Sequence, residues 1–238
     1  MHRRLMSALV VVAAAVAALP LSGVSAAKKE KQVDRIWVSP DIASFKGDRI
    51  ALLLVASYDH NYPNEKQVEA AVGQNFQATG YRWISASSAR EMLRNEATGD
   101  SLINALKQGL LKEPRVDSLA APGLCARLRC QALLSFRIDL WEQRNMEWNV
   151  AGKPSTTIQL KAALVDSAGK LLWSAAGSQT AEGQYNDPNS NPMVADEAGV
   201  QRKNLEGLQA PSPPLALAPL MTRWVAKFPA RSAPSPAK

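Results

Sequence analysis

RIALLLVAS, residues 49–57, decides the fold: from Ile50 to Ala56 no polar residue interrupts the run. A strand with one wet face alternates apolar and polar residues, so an unbroken run suits a strand covered on both faces, as in a parallel sheet with helices on each side. Outward from it, Pro63-Asn64-Glu65-Lys66-Gln67 reads as a helix start, with Asn64 as N-cap and Gln67 at the capping-box spacing. Val68, Ala71, Val72 and Phe76 follow at helical spacing, and Gly80 supplies the stop. Tyr81–Ser85 is a second strand. Ser88 and Glu91 form another capping-box pair ahead of Met92 and Leu93, and Asp100 is expected to cap a helix carrying Leu102, Ile103, Leu106 and Leu110, ended by Pro114. Strand–helix–strand units of this kind imply parallel pairing with right-handed crossovers.

The period changes in the second half. Ala132, Leu134, Phe136, Ile138 and Leu140 alternate with Leu133, Ser135, Arg137, Asp139 and Trp141, which predicts a strand over 132–141. Thr156–Val165 alternates likewise, Asp166-Ser167-Ala168-Gly169 is a turn, and Lys170–Gln179 returns as its partner. Leu215–Phe228 is the last helix, with Pro219 expected in its first turn. The expected fold class is α/β to α+β: a single mixed sheet, parallel strand–helix units followed by an antiparallel meander, with helices packed on it. Residues 48–230 are expected to form one domain, with a long irregular loop over 183–214, a lead-in at 27–47 and a disordered Pro/Ser/Ala tail at 231–238.

Residues 1–26 read as a cleavable signal peptide. Arg3 and Arg4 form a positive start, Leu5–Leu19 is apolar apart from Ser7, and Val24-Ser25-Ala26 offers the small residues a signal peptidase accepts, with cleavage between Ala26 and Ala27. The apolar run is short for a bilayer span, and the cysteines, Cys125 and Cys130, lie far from the cleavage point, so no lipid is expected there. The implied product is a periplasmic, soluble protein. Its formal charge of +7 falls to +5 without Arg3 and Arg4, with no block of like charges, which argues against nucleic acid as a partner and allows at most peripheral membrane contact.

Two segments carry a family resemblance. Leu128-Arg129-Cys130-Gln131-Ala132-Leu133-Leu134 resembles the LGADALL passage of bacterial envelope lipoproteins typified by a meningococcal vaccine candidate and by the N-terminal domain of the curli secretion channel. Leu164-Val165-Asp166-Ser167-Ala168-Gly169-Lys170-Leu171-Leu172-Trp173-Ser174 resembles the hairpin of the same family. The resemblance spans about residues 48–179 and implies the α/β fold. Gln131 stands where the family has Asp, and the lipidated cysteine is missing, so it implies nothing about pore assembly.

Catalytic chemistry is sparse. After processing, His60 is the single histidine, beside Asp59 at the end of the first strand, where ligand crevices form in open α/β sheets. Neighbours on an extended segment point to opposite sides, and no nucleophile elbow, phosphate loop or zinc-ligand set accompanies them. No catalytic residue, metal or cofactor is therefore assigned. Trp37, Trp83, Trp141, Trp148, Trp173 and Trp224 are dispersed and expected mainly in the core, with Trp141 or Trp148 facing solvent. Cys125 and Cys130 are expected to pair as a disulfide in an oxidising compartment. Five residues along an ideal helix separate Cα atoms by about 8.6 Å, beyond the ~7 Å that a bridge allows. The helix must then end or tighten between Ala126 and Arg129. The function these features favour is a non-enzymatic envelope protein acting through contact with another envelope protein. The alternatives are a hydrolase-like enzyme using Asp59 and His60, or a carrier of a small ligand or glycan.

Overall fold

The computed structural model describes residues 34–95, 98–189, 193–195, 201–203 and 206–231. The signal peptide over 1–26 with its Ala26/Ala27 cleavage point, and the tail beyond Arg231, lie outside the described residues. The mixed sheet and its helical layers form as the sequence implies. Six strands, β1 (Arg35–Val38), β2 (Arg49–Ser57), β3 (Arg82–Ile84), β4 (Ala132–Arg144), β5 (Ser155–Asp166) and β6 (Leu171–Glu182), lie in the order β1-β6-β5-β4-β2-β3. β2 runs parallel to both β3 and β4, while β4, β5, β6 and β1 are antiparallel neighbours.

Both faces of β2 are buried, as its composition requires. Ile50, Leu52 and Val55 join a core with Val68 and Val72 of α1 (Tyr62–Asn75), Phe76 just after it, and Leu217, Leu220 and Trp224 of α5 (Pro214–Val225). Ala51, Leu53 and Leu54 face a second core with α2 (Ala86–Arg94), α3 (Gly99–Lys112) and α4 (Ala121–Leu128). Leu53 and Leu54 share a face because the β2–β4 register slips between Leu52 and Val55. The first face is sealed by aromatic rings: Trp224 stacks on Phe136 at 6.2 Å, and Phe228 meets Phe76 and Trp173 edge-on, each at 5.0 Å.

Helix starts fall about one turn earlier than expected. Asn61, not Asn64, caps α1, its side chain accepting the Asn64 N–H at 3.3 Å. Ser85, not Ser88, caps α2 through the Ser88 N–H at 3.1 Å. Asp100 lies inside the first turn of α3 and pairs with Arg94 at 3.1 Å. α5 begins at Pro214 and carries Pro219 inside it. The bond Pro219 cannot donate would go to Leu215, near the helix start, where exposed backbone can be hydrated and the loss is cheap. Gly80 stops the first helical segment in the left-handed region, φ 82°, as expected.

Three features escaped the sequence pattern. β1 is a short edge strand within the lead-in. β4 runs on to Arg144, three residues beyond Trp141, with both faces buried as far as Ile138. Within 183–214, β7 (Met193–Ala195) and β8 (Gln201–Lys203) pair as a separate hairpin. Asn186 donates to the carbonyls of Glu147 at 3.1 Å and Val150 at 2.5 Å, and so ties this region to the β4–β5 connection.

Candidate functional site

α2, α3 and α4 cover one face of β3, β2 and β4 and leave the same face of β5, β6 and β1 open. Along the trench β6 presents Ser174 and Ala176, with Leu171 at its end, and β5 presents Lys161 and Ala163. β1 sets large side chains opposite the small ones, Trp37 across from Ser174 and Arg35 across from Ala176. A trench of about 390 Å³ results, walled by Trp37 and Arg35 on one side and by Glu113-Pro114-Arg115, after α3, on the other. Trp37 remains 45 % exposed, against 0 % for Trp173 and Trp224. It is the correction to the expectation of mainly buried tryptophans. Trp148 faces solvent and Trp141 is half-buried, as anticipated.

The wall after α3 is held from inside the sheet by Arg137, a residue the sequence pattern did not single out. Its guanidinium donates to the carbonyls of Leu111 at 2.8 Å and Lys112 at 3.3 Å, and pairs with Asp139 at 2.6 Å. It also lies 5.5 Å from the centre of the Tyr58 ring, while the Tyr58 hydroxyl donates to Leu111 O at 2.7 Å. A cation thus satisfies the carbonyl end of α3, where the helix dipole favours positive charge. Lys161 reaches Asp139 at 2.8 Å from β5. Burial alone would raise the Asp139 carboxyl, but the hydrogen bonds and charges of Arg137 and Lys161 outweigh it and hold its pKa below the ordinary value.

The strand-end pair does not assemble as a catalytic unit. The Asp59 carboxylate accepts from the Ser57 hydroxyl and from the Asn61 N–H at 3.0 Å, closing the turn after β2. The Ser57 bond, more than any other influence, keeps the Asp59 pKa below its usual value. His60 is exposed with φ 51°, in the left-handed region. Neither residue lines the trench, nor a second cleft of about 390 Å³ between α1 and the start of α2. In that cleft Glu69 is already engaged, by Lys66 at 2.6 Å and Arg90 at 2.8 Å. Among the described residues no three potential metal ligands come together.

Cys125 and Cys130 lie on one helix-ending turn. α4 ends at Leu128, Arg129 turns left-handed at φ 52°, and the Cys130 N–H closes on Cys125 O at 3.0 Å. The expected disulfide, however, is not formed: both are free, buried thiols. Each sulfur is held by its own surroundings. Cys125 packs in the α2–α4 core and donates its S–H to Cys130, which raises its pKa. Cys130 accepts that bond and further ones from the backbone at Ala51 and Ala132, which lowers its pKa against the effect of burial. The Gln131 departure from the family motif also has a local role. Its side chain accepts the Arg49 N–H at 2.9 Å, fixing the start of β2 against β4.

Compared with known proteins, the chain matches no family model and no curated protein. Among solved structures it is similar to the PelC dodecamer from Paraburkholderia phytofirmans, at 15 % identity and TM-score 0.40, covering 83 % of this chain and 94 % of that one. It is also similar to lipoprotein GNA1162 from Neisseria meningitidis, at 22 % identity and TM-score 0.40, over 56 % of this chain and 83 % of that one. A hypothetical protein from Chlamydia trachomatis aligns at 11 % identity and TM-score 0.38, over 75 % and 91 % of the two chains. These are distant likenesses of fold.

Proposed function

We propose that this chain is exported, cleaved between Ala26 and Ala27, and acts in the cell envelope by binding another envelope protein through the trench beside β1, without catalysing a reaction. In this reading residues 48–230 form one folded domain, and the lead-in contributes β1 to its sheet. The observation that carries the proposal is Trp37, left 45 % exposed over a floor of small residues at an open sheet edge. Tryptophan is the residue type most enriched among interface hot spots, and an edge strand offers main-chain groups to an added strand. The trench is too small to be a whole interface, since a stable one buries about 800 Å² per partner. It is the anchor of a larger footprint that includes the outer edge of β1. Export is supported by the positive, apolar and small-residue order of residues 1–26, and no helix among the described residues is long and apolar enough to cross a membrane.

The experiment is complementation of a gene deletion in an envelope-integrity assay, with the N-terminal mass of the secreted product as a parallel readout. Trp37→Ala is expected to fold normally yet fail to complement, and His60→Ala is expected to complement fully. The mature mass is expected to begin at Ala27. Full complementation by Trp37→Ala, or loss with a folded His60→Ala, refutes the reading.

A further inference from the structure

The turn at the end of α4 places two thiols side by side at the surface end of the second core. In a helix ending of this kind the residues that close the outer hydrogen bond, here Cys125 and Cys130, usually make an apolar contact that any small hydrophobic pair can supply. Both positions here carry sulfur, and no bond joins the two thiols. They line a shallow depression of about 570 Å³, open to solvent and bordered by Pro122, Arg129, Gln131 and Ser167.

We propose that Cys125 and Cys130 form a two-thiolate site for a monovalent thiophilic cation of the Cu(I) class. The donor set selects the ion. Tetrahedral zinc needs four ligands, and no third candidate ligand joins the pair among the described residues. Soft thiolates favour Cu(I), which accepts two donors on opposite sides. At a metal–sulfur distance of about 2.3 Å, taken from zinc thiolates, the sulfurs must stand about 4.6 Å apart. Both cysteines line the same depression, and the backbone bond between residues 125 and 130 holds the site in place before the ion arrives.

Charge fits as well. Binding is an exchange with no oxidation: two S–H bonds break, two metal–sulfur bonds form, and two protons leave to solvent. One cation with two thiolates leaves a net charge of −1. Arg129 borders the depression and Arg49 acts on Cys130, while Asp166 is the opposing charge near Cys125. The site is separate from the trench and its fate does not depend on the proposed partner binding.

The test is titration of the reduced, full mature chain with Cu(I) under anaerobic conditions, against a chromogenic Cu(I) chelator. One equivalent is expected to bind. Because even an outer-shell partner of a metal typically contributes 10–100-fold in affinity, Cys125→Ser or Cys130→Ser is expected to weaken binding more than about 100-fold. Copper-edge X-ray absorption on the unmutated protein, which needs no variant to fold, is expected to show two sulfur neighbours. Arg129→Gly keeps the left-handed turn and is expected to weaken binding less than either serine variant. No binding against the chelator, full binding by the folded serine variants, or fewer than two sulfur neighbours overturns the proposal. A natively exported chain whose intact mass is two hydrogens short, with residues 125 and 130 bridged, overturns it too.

Discussion

Replacing Arg137 by methionine keeps the length of the side chain and removes the guanidinium contacts that hold the end of α3, leaving only the Tyr58 hydroxyl on Leu111 O. The Lys112 carbonyl loses its side-chain donor, the Leu111 carbonyl keeps one of two, and Asp139 loses one of its two cationic partners. Hydrogen bonds to a charged group contribute about 1.5–3 kcal/mol each, and a cation at a partly buried helix end contributes up to ~2 kcal/mol. These overlap in one guanidinium and do not add. Lys161 remains to neutralise Asp139, so the expected loss is about 3–4 kcal/mol, within the range for breaking a buried ion pair. Urea unfolding followed by circular dichroism measures it. The pH dependence gives an independent check. Asp139 has a folded pKa below its unfolded value, so its contribution is present above about pH 4 and is lost as pH falls through the folded pKa. Arg137→Met is expected to shrink this loss, flattening the acid limb of the stability curve. A destabilisation below about 1 kcal/mol, or an acid limb as steep as in the unmutated protein, would show that Arg137 does not organise the α3 end.

Trp224→Ala, which empties a fully buried site between Phe136 and Trp173, is expected to cost about 3–5 kcal/mol in the same unfolding assay. Gly169→Ala is expected to destabilise by about 1–3 kcal/mol, because residue 169 sits at φ 79° and an added Cβ would press on the Ser118 backbone. His60→Gly should be neutral or stabilising by up to about 1 kcal/mol, since its φ of 51° suits glycine; a clear loss would mean that the imidazole has a structural partner. Lys107→Met leaves the Glu65 carboxylate, 1 % exposed, without its 2.7 Å partner, and is expected to cost about 2–4 kcal/mol in the same unfolding assay.

Periodicity carried most of the architecture because it reports burial directly. The unbroken run at 50–56 suited a strand covered on both faces, which β2 is, and alternation over 156–165 located β5 to within one residue at each end. Helix starts were less legible. Asn61 and Ser85 cap their helices with ordinary side-chain bonds, but polar residues one turn later occupy the same spacing to a Glu or Gln and mimic the signal. β1 was invisible because four residues at a sheet edge, with Trp37 and Val38 exposed, carry no alternation. The trench was hidden for the same reason: it arises from β1 pairing with β6, a contact between residues about 140 positions apart in sequence. Arg137 read as the polar partner in an alternating strand, and only the position of the α3 terminus reveals its role. The turn between Ala126 and Arg129 was expected only as a requirement of a disulfide; α4 does end at Leu128, but without that bond.

The most direct measurement of the central claim is in-cell photocrosslinking with a reactive amino acid in place of Trp37. The comparison is the same substitution at Tyr62, an exposed aromatic on α1. The account predicts one discrete heavier product containing a second envelope protein from position 37, abolished by Ala176→Arg in the trench floor, and none from position 62. Equal crosslinking from both positions, or none from position 37 in a chain that folds and is exported, contradicts it.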